Sequence, residues 1–319
     1  MINNRSALRW QTVVMHKTLM NWFCNGLLGF VFLAGLPGGA AHAQASNLST
    51  AESSAAELVE KHRLLLGQLE KNAYGRPLYL ESSESSSMVS GNAYAVLDSP
   101  FATVSAAFKS PNRWCEVMIL PINTKYCRAA SDTTPTQIKV NIGKKTAQDL
   151  ADSFALEFNF RIASVSASYL AVQLNADKGP LGTSDYRIEL RAMPLPDGKT
   201  FMHLRYAYGY GFAGRIAMQG YLATVGSGKV GFTQTAVAQG KKPGYVGGMR
   251  GAVERNTVRY YLAIEAYLAT LNKPAAQQFN ARLEHWFDAT EQYPEQFRDL
   301  DRNTYLTMKK FEYQRQQAS

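Results

Sequence analysis

The sequence predicts an α+β protein: an antiparallel sheet with one face covered by a long helix, and further helices at both ends of the chain. Three observations predict it. Between residues 138 and 208 apolar and polar side chains alternate with period two through successive segments, the pattern of half-buried antiparallel strands. From Met249 to Leu271, the residues Val253, Tyr260, Ile264, Tyr267 and Leu271 form an apolar stripe at helical spacing. Past Pro274 two more helical patterns follow, so the helices needed to cover the sheet lie downstream of it.

In chain order, the first segment is a targeting signal. Arg5, Arg9 and Lys17 precede an apolar run from Trp22 to Leu36, a Pro37-Gly38-Gly39 break, and Ala41-His42-Ala43. This is the basic, apolar, small-x-small order of a secretory signal peptide. A run of 15 residues is short of the about 20 that span a bilayer core. Residues 1–43 therefore read as a cleaved signal, with the mature protein periplasmic or secreted. Cys24 follows Trp22 and Phe23 inside the apolar run, so no lipid anchor is expected.

The 276 residues that remain carry 31 Lys and Arg against 25 Asp and Glu, a net charge of +6. That excess is too small to argue for nucleic acid, which an exported protein seldom meets. Cys115 and Cys127 are the cysteines left after cleavage. An even pair in an oxidising compartment reads as a disulfide, with two buried thiols or a metal pair as the alternatives. His62, His203 and His285 are scattered without ligand spacing, so neither a metal nor a cofactor is expected.

Residues 44–87 read as a helical lead-in and a serine-rich linker. Leu58, Leu65 and Leu69 recur at helical spacing, Asn72 to Pro77 stops the helix, and residues 81–87 are too poor in apolar side chains to pack. A strand over Val89–Leu97 follows, and Asp98-Ser99-Pro100 then opens a short helix with Phe101, Val104 and Phe108 at helical intervals. A second short helix or turn after Pro111 carries Trp114 and Cys115. In the alternating region Ile138, Val140 and Ile142 share one face. So do Phe154, Leu156, Phe158, Phe160 and Ile162; Leu170, Val172 and Leu174; Tyr186, Ile188 and Leu190; and Met202, Leu204, Tyr206 and Tyr208. Residues 212–225 form a short helix weakened by Gly214 and Gly220, and Val230–Val237 a final strand. Glu254-Arg255-Asn256 reads first as a solvated face of the long helix with local ion pairs, and alternatively as a buried polar network under the sheet-facing side of the helix. Residues 273–319 form a helical extension.

The order of a first strand, a Ser99-Pro100-Phe101 entry into short helices ending at Trp114, an antiparallel sheet and a long helix over Met249–Leu271 resembles the START-like, helix-grip superfamily of lipid-transfer and polyketide-cyclase-type domains. The resemblance covers residues 88–272 and implies a curved sheet gripping the helix, with a cavity between them for a hydrophobic ligand. The helical segment at 212–225 departs from the usual plan of that superfamily. Candidate lining residues are Phe158, Phe160, Tyr186, Ile188, Tyr206, Tyr208, Tyr260 and Ile264, among which the hydroxyls of Tyr206 and Tyr208 are suited to a ligand's polar end. As ordinary core side chains the same residues would simply fill the interior.

Gly209-x-Gly211-x-x-Gly214 matches a dinucleotide fingerprint, but no βαβ alternation surrounds it and no acid stands between Asp197 and Glu254 to hold a ribose. That acid-free interval holds Lys199, Arg205, Arg215, Lys229, Lys241, Lys242 and Arg250. Gathered at one end of the domain they would form a basic rim for an anionic membrane surface; neutralised by acids from elsewhere they would not. No nucleophile elbow, histidine-paired serine or clustered carboxylates support a hydrolase. The leading expectation is an exported, non-enzymatic protein that binds a lipid or other hydrophobic small molecule. An envelope interaction module with a filled core comes second, and a cyclase- or isomerase-like enzyme third. Mass spectrometry of the exported protein is expected to place its amino terminus at Gln44; a terminus at or before Trp22 would overturn the cleaved signal.

Overall fold

Antiparallel pairing joins every neighbouring pair of strands in one eight-stranded sheet of order β1-β2-β8-β7-β6-β5-β4-β3. The computed structural model describes residues 39–130, 136–224, 228–235 and 244–318. The basic and apolar parts of the signal, and Lys241 and Lys242 of the basic interval, lie outside the described residues. The chain runs through α1 (Gly39–Glu70), β1 (Leu78–Glu84), β2 (Met88–Leu97), α2 (Phe101–Phe108), α3 (Pro111–Met118), β3 (Thr124–Ala130), β4 (Gln137–Ile142), β5 (Phe154–Val165), β6 (Leu170–Lys178), β7 (Thr183–Pro194) and β8 (Thr200–Tyr210). It then continues through α4 (Phe212–Ala223), α5 (Gly248–Ala269), α6 (Ala275–Glu291), α7 (Pro294–Phe297) and α8 (Arg302–Gln317). Residues from Ser46 onward form one unit. A strand, two short helices, a run of antiparallel strands and a long helix laid on the sheet make up a helix-grip α+β fold.

The alternation of each strand sets the faces. Val89, Ala93, Ala95 and Leu97 of β2, Met202 and Leu204 of β8, Ile188 and Leu190 of β7 and Val172 and Leu174 of β6 are all buried in one core with α5. At Gly91 the strand backbone approaches the helix so closely that a Cβ would run into the Thr257 side chain. Glycine is what lets α5 lie directly on β2.

The opposite face is not left to water, contrary to the one-sided sheet expected. Leu58, Leu65 and Leu69 of α1 bury a second, smaller core with Tyr94, Tyr169, Ala171, Met193 and Phe201. The alternation conceals this because Tyr94 and Phe201 stand among polar neighbours on their own face: His203 stacks on Tyr94 at 4.4 Å and bonds Asn92 at 2.9 Å. Burial first, then Arg191, Arg205 and Lys61, push the His203 pKa down to about 3, so the ring is a neutral packing element.

Three further expectations change. The serine-rich stretch is no linker over its first half: it is the edge strand β1, whose Leu78 and Leu80 enter the core. Its polar side chains have partners, Lys61 on Glu81 at 2.7 Å and Ser82 Oγ on Glu254. Near Val230–Val237, the described residues contain one isolated bridge, Gln234 to Tyr245. Glu254 and Arg255 are buried rather than solvated, because α5 is enclosed by β1, β2 and β8 on one side and by α3, α4 and α6 on others. The Glu254 carboxylate accepts from Phe232 N at 2.6 Å, Thr233 N at 2.9 Å and Thr233 Oγ1 at 2.7 Å, and Arg255 donates to Val230 O at 2.9 Å. These bonds repay the desolvation of a buried charge.

At the other edge, α8 guards β3. Gln316 Oε1 accepts from Cys127 N at 3.1 Å and Arg315 donates to Lys125 O at 2.7 Å, occupying backbone groups that face outward. Beneath them Lys125 and Lys309, both without solvent exposure, share Glu312 at 2.9 and 2.6 Å. Burial outweighs Glu312 and lowers the Lys309 pKa to about 8. Cys115 of α3 and Cys127 of β3 form the disulfide, with Cα atoms 5.1 Å apart. Replacing both cysteines by alanine is expected to lower the unfolding free energy by on the order of 3 kcal/mol, read from urea midpoints.

Candidate ligand-binding site

The alternation of β5, β7 and β8 turns an aromatic series to the inner face near the end of the sheet that leads into α4. Phe158, Tyr186, Tyr206 and Tyr208 come from three strands, and Tyr260 meets them from α5. Tyr186 stacks on Tyr208 at 5.3 Å, meets Phe158 edge-on at 6.5 Å and Tyr206 at 6.3 Å; Tyr206 lies 5.5 Å from Tyr260. Phe160 joins the same core. Ile188 and Ile264, at 0% exposure, are packing residues with no surface left for a ligand. Tyr260 is only partly buried.

α4 packs nearby, against the turn at 180–182, α5 and β8. Met218 and Leu222 pack against the core, while Phe212 and Ile216 stay 82% and 54% exposed. The turn at 180–182 holds α4 in place: a Cβ at Gly214 would stand 2.7 Å from Gly182 O. The last glycine of the fingerprint therefore serves close backbone packing. Leu181 and Asp185, on either side of Thr183, take left-handed backbone angles, φ 58° and 49°. Such angles cost of order 1–3 kcal/mol each in non-glycine residues and collect at sites whose shape is imposed by their surroundings.

The hydroxyls divide into two kinds. Tyr186 Oη shares a 2.8 Å hydrogen bond with Thr183 Oγ1, and Tyr210 Oη donates to Ser85 O at 2.7 Å. Tyr208 and Tyr260 have no hydrogen-bond partner for their hydroxyls among the described residues. Burial, then the neighbouring tyrosine hydroxyls, raises the Tyr206 pKa well above its ordinary value. Tyr208 and Tyr260 are shifted the same way, first by burial and then by Tyr186. Tyr186 is pushed up to about 12, by burial against the opposing bond to Thr183. All four phenols are neutral near pH 7 and can donate or accept a hydrogen bond. Among the described residues no group of His, Cys, Asp or Glu is placed to hold a metal ion.

Two cavities lie elsewhere. A groove of about 590 Å³ runs along the outer face of β3, β4 and β5, lined by Tyr126, Arg128, Lys139, Asn141 and Glu157 among others. A void of about 10 Å³, room for one water, sits between Arg259, Trp286, Phe297 and Tyr305. Among the described residues, the basic interval does not converge into a rim. Lys199 and Arg215 flank opposite ends of β8, and acids from elsewhere pair with Lys199 (Asp98, 3.4 Å), Arg205 (Glu189, 3.8 Å), Lys229 (Asp299, 3.2 Å) and Arg250 (Glu254, 3.8 Å). Thr183, Met218 and Leu222 stand near the site without having been marked for it by their sequence pattern. Thr183 falls at the start of a strand, and the apolar spacing of α4 was legible without its partner.

No protein-family model matches the chain, and no curated protein matches it. Solved structures similar to it include human StAR-related lipid transfer protein 5, at 10% identity and a TM-score of 0.33, covering 70% of this chain and 99% of that one. Truncated norcoclaurine synthase from Thalictrum flavum is similar at 10% identity and a TM-score of 0.32, covering 45% and 91%. CalU16 from Micromonospora echinospora is similar at 11% identity and a TM-score of 0.27, covering 67% and 93%.

Removing the Tyr186 hydroxyl deletes a buried hydrogen bond, so Tyr186→Phe is expected to cost about 1 kcal/mol in denaturant unfolding. Tyr208→Phe and Tyr260→Phe lose no protein partner and are expected to stay within about 0.5 kcal/mol of the parent. A cost at Tyr208 equal to that at Tyr186 would contradict the assignment of its hydroxyl as unpartnered.

Proposed function

We propose that this protein is exported and binds a lipid or other apolar small molecule in the tyrosine-lined interior near α4, without catalysing a reaction on it. The observation that carries the reading is the pair of hydroxyls, on Tyr208 and Tyr260, that have no hydrogen-bond partner among the described residues and stand in the aromatic cluster. Neither is among the fully buried unbonded polar atoms of the described residues, so both keep a surface that a ligand's polar end can reach. A ligand with an apolar body and one polar end satisfies both hydroxyls and the surrounding rings. Entry runs past α4, whose two internal glycines lower its helical stability and whose Phe212 and Ile216 meet solvent.

The full burial of Ile188 and Ile264 favours a second reading, an envelope interaction module whose interior is filled. Native mass spectrometry of gently purified mature protein separates the two. A bound mass lost on denaturation, and reduced at least several-fold in a Tyr208→Phe, Tyr260→Phe double variant, supports the ligand reading. Protein that carries no ligand and takes up neither a fatty acid nor a phospholipid from solution overturns it in favour of the filled module.

A further inference from the structure

Away from the tyrosines, three cations converge on a single carboxylate. Asp299, in the loop between α7 and α8, is 7% exposed and receives Lys145 Nζ at 2.8 Å, Lys229 Nζ at 3.2 Å and Arg259 Nη2 at 3.2 Å. Lys145 stands in the loop after β4, Lys229 in the segment before α5, and Arg259 on α5 itself. Two loops and a helix thus bring their positive charge to one aspartate of a third loop.

Among the described residues, the nearby acids are engaged elsewhere. Asp301 is engaged as the cap of α8, accepting from Thr304 N at 3.0 Å, and Glu291 pairs with Arg298 at 3.4 Å. Arg259 spends its second nitrogen on Asn256 Oδ1 at 3.1 Å and lies 5.1 Å from the Phe297 ring, so its charge stays against protein. Lys229 also donates to Arg298 O at 2.6 Å. Among the described residues the ammonium groups of Lys145 and Lys229 by themselves outnumber the single Asp299 carboxylate, with Arg259 beside them. Burial, and then Arg259, hold the Lys145 pKa down to about 8, with Asp299 opposing them and Lys229 adding to them. A purely structural clasp would need one cation for one carboxylate; each additional cation repels those already there.

Lys145 and Lys229 keep 21% and 20% of their side-chain surface open to solvent, whereas Arg259 and Asp299 are nearly closed off. The approach to the cluster is therefore over the two ammonium groups. We propose that Lys145 and Lys229, backed by Arg259 and Asp299, form a binding site for an oxyanion of the phosphate class. Each ammonium carries three donors, so each has hydrogen atoms left for an incoming oxygen after its bond to Asp299. The site is independent of the tyrosine-lined interior and stands whether or not that interior takes a ligand. A free phosphate and a phosphomonoester headgroup offer the same oxygens.

The test is calorimetric titration of the full mature protein with inorganic phosphate at pH 7, in chloride buffer of constant ionic strength. One site per chain is expected, weakened about tenfold or more in Lys145→Met and in Lys229→Met, since a charge-assisted hydrogen bond contributes about that much. Circular dichroism checks that each variant is folded. Asp299→Asn supplies a readout that a clasp alone would not give: losing the opposing negative charge is expected to tighten phosphate. Flotation with vesicles containing phosphatidic acid, compared with phosphatidylcholine alone, then separates the sources. Phosphate binding without retention on vesicles supports a free oxyanion, and retention abolished by Lys145→Met supports a headgroup. No phosphate binding to the parent protein, or equal binding by the parent and folded lysine variants, would overturn the site.

Discussion

Thr257 on α5 and Gly91 on β2 meet where no side chain fits between helix and strand. That contact sets how deep the helix lies in the sheet, and most of the molecule follows from it. A helix pressed onto β1, β2 and β8 and then covered by α3, α4 and α6 has almost no face left for water. Its charged residues must then find partners inside the protein. Glu254 does so by collecting two backbone amides and two hydroxyls, which ties the segment before α5 and the edge strand β1 to the helix.

The same depth explains why two chemically different regions sit so near one another along α5. On the sheet side, Tyr260 reaches the rings of β7 and β8, and the surroundings are apolar with neutral hydroxyls. One residue earlier, Arg259 turns to the loops and joins a group of three cations. Adjacent helix positions point about 100° apart, so a single turn can serve a greasy interior and a charged surface at once.

Strand positions between 138 and 208 and the long helix were legible, because period two and period 3.6 are written directly into the chain; the order of strands in the sheet was not, since periodicity does not name a strand's neighbour. The aromatic cluster was legible for the same reason: Tyr186, Tyr206, Tyr208 and Phe158 fall on one face by parity alone. Which hydroxyls lack partners was not, since Thr183 reaches Tyr186 only once the turn at 180–182 is folded. The second core was hidden because α1 and Phe201 are over 100 residues apart in the chain, and an amphipathic helix does not name the face it will cover. Polarity misled at β1 and at Glu254. In both, a partner distant in sequence supplied the hydrogen bonds that made burial affordable. The basic interval misled in the opposite direction, its charges being met by acids outside it.

Gln316 and Arg315 occupy the last turns of α8, yet what they hold is the open side of β3. A sheet of this kind has a row of amides and carbonyls on each outer strand that any extended segment can complete. Here two groups of that row, Cys127 N and Lys125 O, are taken up by side chains of a helix and not by another strand. A pair of side-chain bonds thus does for β3 what a further strand would do, and it does so without offering a new edge beyond it.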